Sequence, residues 1–184
     1  DFLAVAETDG KAEARIFLAA PIAQAEIESI FANRIESVEA VEWDARGEAV
    51  AARRQRRLGA LVLDDRPLTT PDPERVLSAM LDGVRAMGLA TLPWTDAARS
   101  LQARVAFVRR LFPEDAWPDL SDAALAATID SWLAPYLAGV SRRAHLAALD
   151  LAAILSARVP PSLLRRLDRL APQRIAIPSG AQVA

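Results

Sequence analysis

The sequence predicts an α+β protein: a small antiparallel β-sheet or barrel carrying one helix, followed by an α-helical subdomain. Three observations point there. Short apolar runs with a two-residue alternation fill the first third, broken by turn formers such as Asp9-Gly10 and Asp44-Ala45-Arg46-Gly47. From residue 73 to 170 the apolar residues instead recur every three or four positions, in segments opened by Asp or Ser/Thr and closed by Gly or Pro. Between the two regimes lies Asp64-Asp-Arg-Pro-Leu-Thr-Thr-Pro-Asp-Pro73, rich in turn formers, which marks a boundary. The resulting division is a β-rich part at 1–66, a helical part at 71–171 and a C-terminal strand at 172–184 that returns to the β-sheet.

In chain order, Phe2 to Glu7 and Ala14 to Ala20 read as a hairpin with Asp-Gly at its turn. After Pro21, residues Ile22, Ile27, Ile30 and Phe31 fall near one helical stripe, with Asn33 as the stop. Ile35 to Asp44 alternates again and returns from Ala49 as a second hairpin. The returning run to Leu63 is long for one strand, and Gly59 predicts a bulge or bend that splits it.

Asp72 then caps a helix with Pro73 at its first position and a stripe of Val76, Leu77, Met80, Leu81 and Val84, closed by Gly88. Thr95 caps the next, which Pro113 ends. Ser121 caps a third whose Leu125, Ile129, Trp132, Leu133 and Tyr136 face inward until Pro135 and Gly139. Two shorter helices follow, near His145 to Ala157 and Pro161 to Leu170, and then the strand at 174–178. Trp94, Trp117, Trp132 and Tyr136 are expected to pack the helical core.

The 184 residues are enough to bury a core, and 52% apolar with 25% charged residues fits a folded rather than a disordered chain. A net charge of -2 gives no whole-molecule field toward nucleic acid or an acidic membrane, so any such attraction must be local. With no cysteine, thiolate metal sites and cysteine nucleophiles are excluded, and a reducing, cytoplasmic setting is expected. Charges interrupt every apolar run short of a membrane span, so no membrane contact is expected. Starting inside a strand pattern with no initiator methionine, the chain reads as a piece of a longer protein.

Enzymatic constellations are missing. Gly10-Lys11 is followed by Ala12, not by the hydroxyl residue that a phosphate loop needs. The single histidine, His145, has no cysteine companions, and Arg143 stands where a nucleophile elbow around Ser141 needs its second glycine. The carboxylates Asp64, Asp65, Glu114, Asp115, Asp119 and Asp122 sit at turns and helix starts, which already gives them a structural use.

One local patch stands out. Arg46, Arg53, Arg54, Arg56, Arg57 and Arg66 lie within 21 residues that hold only three acids, Glu48, Asp64 and Asp65. On a strand Arg54 and Arg56 share one face, and Arg53 and Arg57 the other. Two readings stay open. The guanidinium forks suit phosphate oxygens, making Arg46, Arg53, Arg54, Arg56 and Arg57 candidate nucleic-acid contacts, with Trp43 as a ring on which a base stacks. Alternatively the arginines pair across strands with Glu36, Glu39 and Glu42, and Trp43 is a core residue.

Several longer motifs occur in a fixed order: Glu13-Ala-Arg-Ile-Phe-Leu-Ala-Ala-Pro21, Val41-Glu-Trp-Asp44, Ala52-Arg-Arg-Gln-Arg-Arg-Leu-Gly-Ala-Leu-Val-Leu63 and Leu92-Pro-Trp-Thr-Asp-Ala-Ala-Arg99. Ala103-Arg-Val-Ala-Phe107, Trp117-Pro-Asp-Leu-Ser121, Trp132-Leu-Ala-Pro-Tyr-Leu137 and Ile177-Pro-Ser-Gly180 continue the series. With these motifs the chain resembles the C-terminal region of the HrpB-type bacterial ATP-dependent helicases, DEAH-box relatives that act on RNA. The resemblance implies an accessory module with no cofactor of its own, ATP and Mg being handled by RecA-like motor domains earlier in the same chain. It implies single-stranded RNA or another nucleic acid, and those motor domains, as partners. By analogy with related helicases it suggests an oligonucleotide-binding barrel, although the helix at Ile22 to Phe31 falls one connection earlier than that barrel's usual order. The competing expectation is a protein-interaction or scaffold module that touches no nucleic acid.

Overall fold

The computed structural model describes residues 2–9 and 15–173, and the backbone of 175–176 and 182–183. The chain is α+β and forms two compact units, 1–40 with 52–70 and 41–51 with 71–184.

In the first unit β1 (Phe2–Thr8) pairs antiparallel with β2 (Ile16–Ile22), in a register that sets Leu3 opposite Pro21 and Val5 opposite Ala19. At the turn end of the ladder the Asp9 side chain accepts from Arg15 N at 3.0 Å, and Asp9 N donates to Arg15 O at 3.2 Å. The Asp-Gly turn expected here lies partly outside the described residues, since Gly10 is among them no longer. β2 runs on through Pro21, so α1 (Gln24–Ile30) starts two residues later than the apolar stripe suggested. Glu26 accepts from Ala23 N at 2.8 Å to begin it, and Phe31 N donates to Ile27 O at 2.9 Å to end it before a single 3-10 turn, Ala32–Arg34. With only two turns, the helix buries Ile27 and leaves Ile30 65% exposed, against the expected stripe.

β3 (Ile35–Asp44), β4 (Ala49–Leu58) and β5 (Leu61–Pro67) form a separate three-stranded sheet in that order. The split expected at Gly59 is a tight turn, Gly59 adopting φ 58°, a left-handed value that suits glycine. The bulge lies further back: Arg56 pairs with Asp64 and Arg57 with Val62, so β5 carries one extra residue, Leu63, which is buried. Among the described residues the five strands make two sheets and no closed barrel. Pro21 and Pro67 each lack an N–H that a further ladder would use.

The second unit is built on helices. Asp72 accepts from Glu74 N at 3.0 Å and starts α2 (Pro73–Met87), which Gly88 ends with φ 81°. Thr95 Oγ1 caps α3 (Asp96–Leu111) by accepting from Ala98 N. Ala98, Val105 and Val108 of α3, with Met80 and Val84 of α2, are fully enclosed.

The helix expected from Ser121 to Tyr136 is broken. It runs as α4 (Asp122–Ala127) and α5 (Ile129–Leu133) and ends in a 3-10 turn, Ala134–Tyr136. Thr128, at the break, turns its hydroxyl back to donate to Ala124 O at 2.8 Å, a bond that competes with the helical ladder. Trp117 and Trp132 are buried as expected, and Trp94 is half-buried against the same core, but Tyr136 is 42% exposed because the 3-10 turn swings it off the stripe. The segment read as one helix near His145 is α6 (Arg143–Leu146) and α7 (Leu151–Ser156), since Asp150 starts a new cap on Ala153 N. α8 (Pro161–Leu170) follows, and α3 packs against both α7 and α8.

Two further features complete this unit. The tip of the β3–β4 hairpin is stitched to the helical part: Val50 N donates to Ser141 O, Arg143 N to Glu48 O, and the Arg143 and Glu48 side chains pair at 2.6 Å. β6 (Ile175–Ala176) pairs with β7 (Gln182–Val183), a partner within the C-terminal segment itself and not the N-terminal sheet it was expected to return to; short loop closure favours such local pairing.

Candidate nucleic-acid interface

The arginine strand divides by face as its alternation requires. On one face Arg53 Nε donates to Asp65 at 3.2 Å and Arg57 Nε to Gln55 Oε1 at 2.8 Å. On the other, Arg54 stands directly opposite Arg66 in the β4–β5 register, with Arg56 opposite Asp64. Two like charges facing each other across strands oppose pairing, so each needs an acid to its side. Arg54 takes Glu39 of β3 at 2.8 Å, Arg66 takes Asp64 of its own strand at 2.9 Å, and Arg56 takes Glu28 of α1 at 2.9 Å.

Arg54, Arg56 and Arg66 line one hollow of about 510 Å³ together with Ser37, Asp64, Pro67, Leu68, Thr69 and Thr70. A second hollow shares Arg56 and Ser37 and adds Glu28, Ala32 and Ile35, so the two form one groove across the sheet and the foot of α1. Three guanidinium forks and three hydroxyls give the wall many donors, which is the chemistry a phosphate oxygen needs. Glu28 remains a carboxylate below the ordinary range, first because Gln24 Nε2 donates to it at 2.9 Å and then because Arg56 lies beside it.

Other residues singled out in the sequence fall elsewhere. Arg46 sits in the hairpin turn, where its backbone N–H donates to Asp44 Oδ1 at 3.0 Å. Trp43 packs against the helical core of the second unit, its indole lying on α2 at Gly83 so closely that a Cβ there would be 2.4 Å from Cδ2. The pairing anticipated with Glu36, Glu39 and Glu42 is realised through Glu39, while Asp65, Asp64 and Glu28 hold the other arginines. Sequence reasoning missed Ser37, Thr69 and Thr70 as wall residues and Glu28 as a partner. Thr69-Thr70 in the linker was a visible signal for a donor-rich rim; nothing local marked Glu28, which lies 28 residues from Arg56.

The chain's one Gly-Lys pair is not followed by a hydroxyl residue, and among the described residues no group of three His, Cys, Asp or Glu is placed to hold a metal ion. Nor is any helix among them long and apolar enough to cross a membrane.

Fold and groove therefore define an α+β module of small antiparallel sheets and a helical unit, with a donor-rich arginine wall. Comparison with known families makes this specific. Residues 34–68 match the connector region of the ATP-dependent RNA helicase HrpB, and residues 132–184 match the ATP-dependent helicase C-terminal family. These matches, with the relatives below, support a C-terminal region of the HrpB type. It is 31% identical over 172 residues to the ATP-dependent RNA helicase HrpB of Escherichia coli K12, covering 94% of this chain and 21% of that protein. A crystal structure of the E. coli DExH-box NTPase HrpB is similar with a TM-score of 0.61 at 30% identity, covering 99% of this chain and 23% of the other. A second, of the E. coli DEAH/RHA helicase HrpB, gives 0.60 at 31%, covering 82% and 19%. The chain thus spans about a fifth of the length of the relatives it matches.

Proposed function

We propose that this chain is the accessory C-terminal module of a cytoplasmic ATP-dependent RNA helicase and that it holds the backbone of a single RNA strand in the arginine groove. ATP and Mg chemistry belongs, in this reading, to RecA-like motor domains elsewhere in the longer protein. The observation that carries the proposal is the opposition of Arg54 and Arg66 in register, with Arg56 on the same face and all three lining one hollow. A sheet gains nothing in stability from facing guanidiniums, and such local conflicts are characteristic of functional sites. The groove's donors are guanidinium forks and hydroxyls, so the holding is by phosphate and independent of sequence.

The test is fluorescence anisotropy with a labelled single-stranded RNA of about a dozen nucleotides, at low and moderate salt. Micromolar binding is expected, falling with salt by a logarithmic slope of about 0.7 per arginine engaged. In an Arg54→Ala/Arg56→Ala/Arg66→Ala variant that keeps its circular dichroism spectrum, binding should be lost. Equal binding by that variant, or none by the unaltered chain, refutes the reading.

A second reading, bracing of the motor domains, is favoured by the β1–β2 ribbon. Its residues are apolar on both faces, and Leu3 is 62% and Phe17 64% exposed. A two-stranded ribbon with such apolar side chains exposed is marginal in water, and strands apolar on both faces suit burial on both.

A further inference from the structure

We propose that Glu28, Glu39 and Asp64 set the affinity of the arginine groove, acting as built-in competitors that the RNA phosphates must displace. This rests on the phosphate-holding reading above. Each guanidinium that lines the groove is already held by a carboxylate, Arg54 by Glu39 at 2.8 Å, Arg56 by Glu28 and Arg66 by Asp64 at 2.9 Å each. Folding thus brings in Glu28, from another element, to cancel charge that the local sequence left in excess.

The pairs are exposed, with Arg54 and Arg66 side chains 58% and 77% accessible, and exposed pairs are weak enough to exchange. A carboxylate does two things in such a pair. It orients the fork toward the groove, and its charge repels an incoming phosphate while occupying the same donors. The outcome is a track that binds weakly and releases readily, which suits a strand that must slide past it. A groove of unpaired arginines would hold the strand too long.

Isosteric amides separate the two roles, because an amide oxygen still accepts from the guanidinium while the charge is gone. Glu28→Gln, Glu39→Gln and Asp64→Asn, singly and together, are compared with the unaltered chain in the RNA anisotropy assay. Each single change should tighten binding about two- to fivefold at low salt. The triple variant should show a steeper salt slope, as more arginines become free to release counterions from the RNA. Asp168→Asn, which alters net charge by the same amount but lies in the helical unit on Arg104, is the control and should leave binding within about 1.5-fold.

If the amide variants bind no more tightly, or the control tightens equally, the proposal is overturned while the groove itself stands, provided the arginine variant has lost binding. If the unaltered chain does not bind, the phosphate-holding reading falls and takes this one with it.

Discussion

Replacing Gly83 with alanine tests how the second unit is held together, because two rules predict opposite signs. Gly83 lies within α2 and is buried. In an ordinary helix interior Gly→Ala stabilises by about 1 kcal/mol. Here the added methyl would lie 2.4 Å from Trp43 Cδ2, 2.5 Å from Cε3 and 2.8 Å from Cε2. Carbon atoms rest at about 3.5–4.0 Å, so the indole would have to retreat by about 1 Å. Trp43 packs against the helical core, and forcing such a side chain off its seat costs about 2–3 kcal/mol. The net expectation is destabilisation by about 1–2 kcal/mol, seen as a Tm lower by about 2–8 °C in a circular dichroism melt at 222 nm. In a Trp43→Ala background the clash is gone, and the same Gly83→Ala change should stabilise by about 1 kcal/mol. That gives a coupling of about 2–3 kcal/mol in the double-mutant cycle. A stabilising Gly83→Ala in the unaltered chain, or additive single changes, would refute the reasoning.

Two further expectations concern other parts of the molecule. Hydrogen exchange should be fast at the β1–β2 amides in this chain and slow in a full-length HrpB-type protein if the exposed ribbon braces the motor; equally fast exchange in both would remove that reading. Asp119 is held below the ordinary aspartate range first by the Ser121 backbone N–H, and Asp122 first by Gln102. A carboxyl depressed in the folded state adds stability above its unfolded value and loses it as pH falls through the folded one. The urea midpoint should therefore hold between neutral pH and about pH 5 and fall below about pH 4, less steeply in Asp122→Asn. A midpoint flat to pH 2 would show that these carboxyls contribute nothing.

What could be read from the sequence was whatever neighbours in the chain decide. Strand alternation and the Asp-Ala-Arg-Gly turn located the β3–β4 hairpin, and Asp72-Pro73, Thr95 and Ser121 located helix starts, because caps and turns are satisfied within a few residues. The facing of Arg54 with Arg56 also followed from the strand period alone. Errors arose where a tertiary choice overrode the pattern. Thr128 turns its hydroxyl back onto Ala124 O where an otherwise continuous stripe breaks, and of the sheet-or-barrel alternatives the five strands took open sheets, two of them. The candidate groove shows the same division. Its arginines were legible, but their charge was not, since Glu28 reaches Arg56 across 28 residues and Glu39 reaches Arg54 across 15. Periodicity says which side chains share a face; only the folded chain decides which distant carboxylates come to meet them, and so whether a basic strand is a free patch or a matched one.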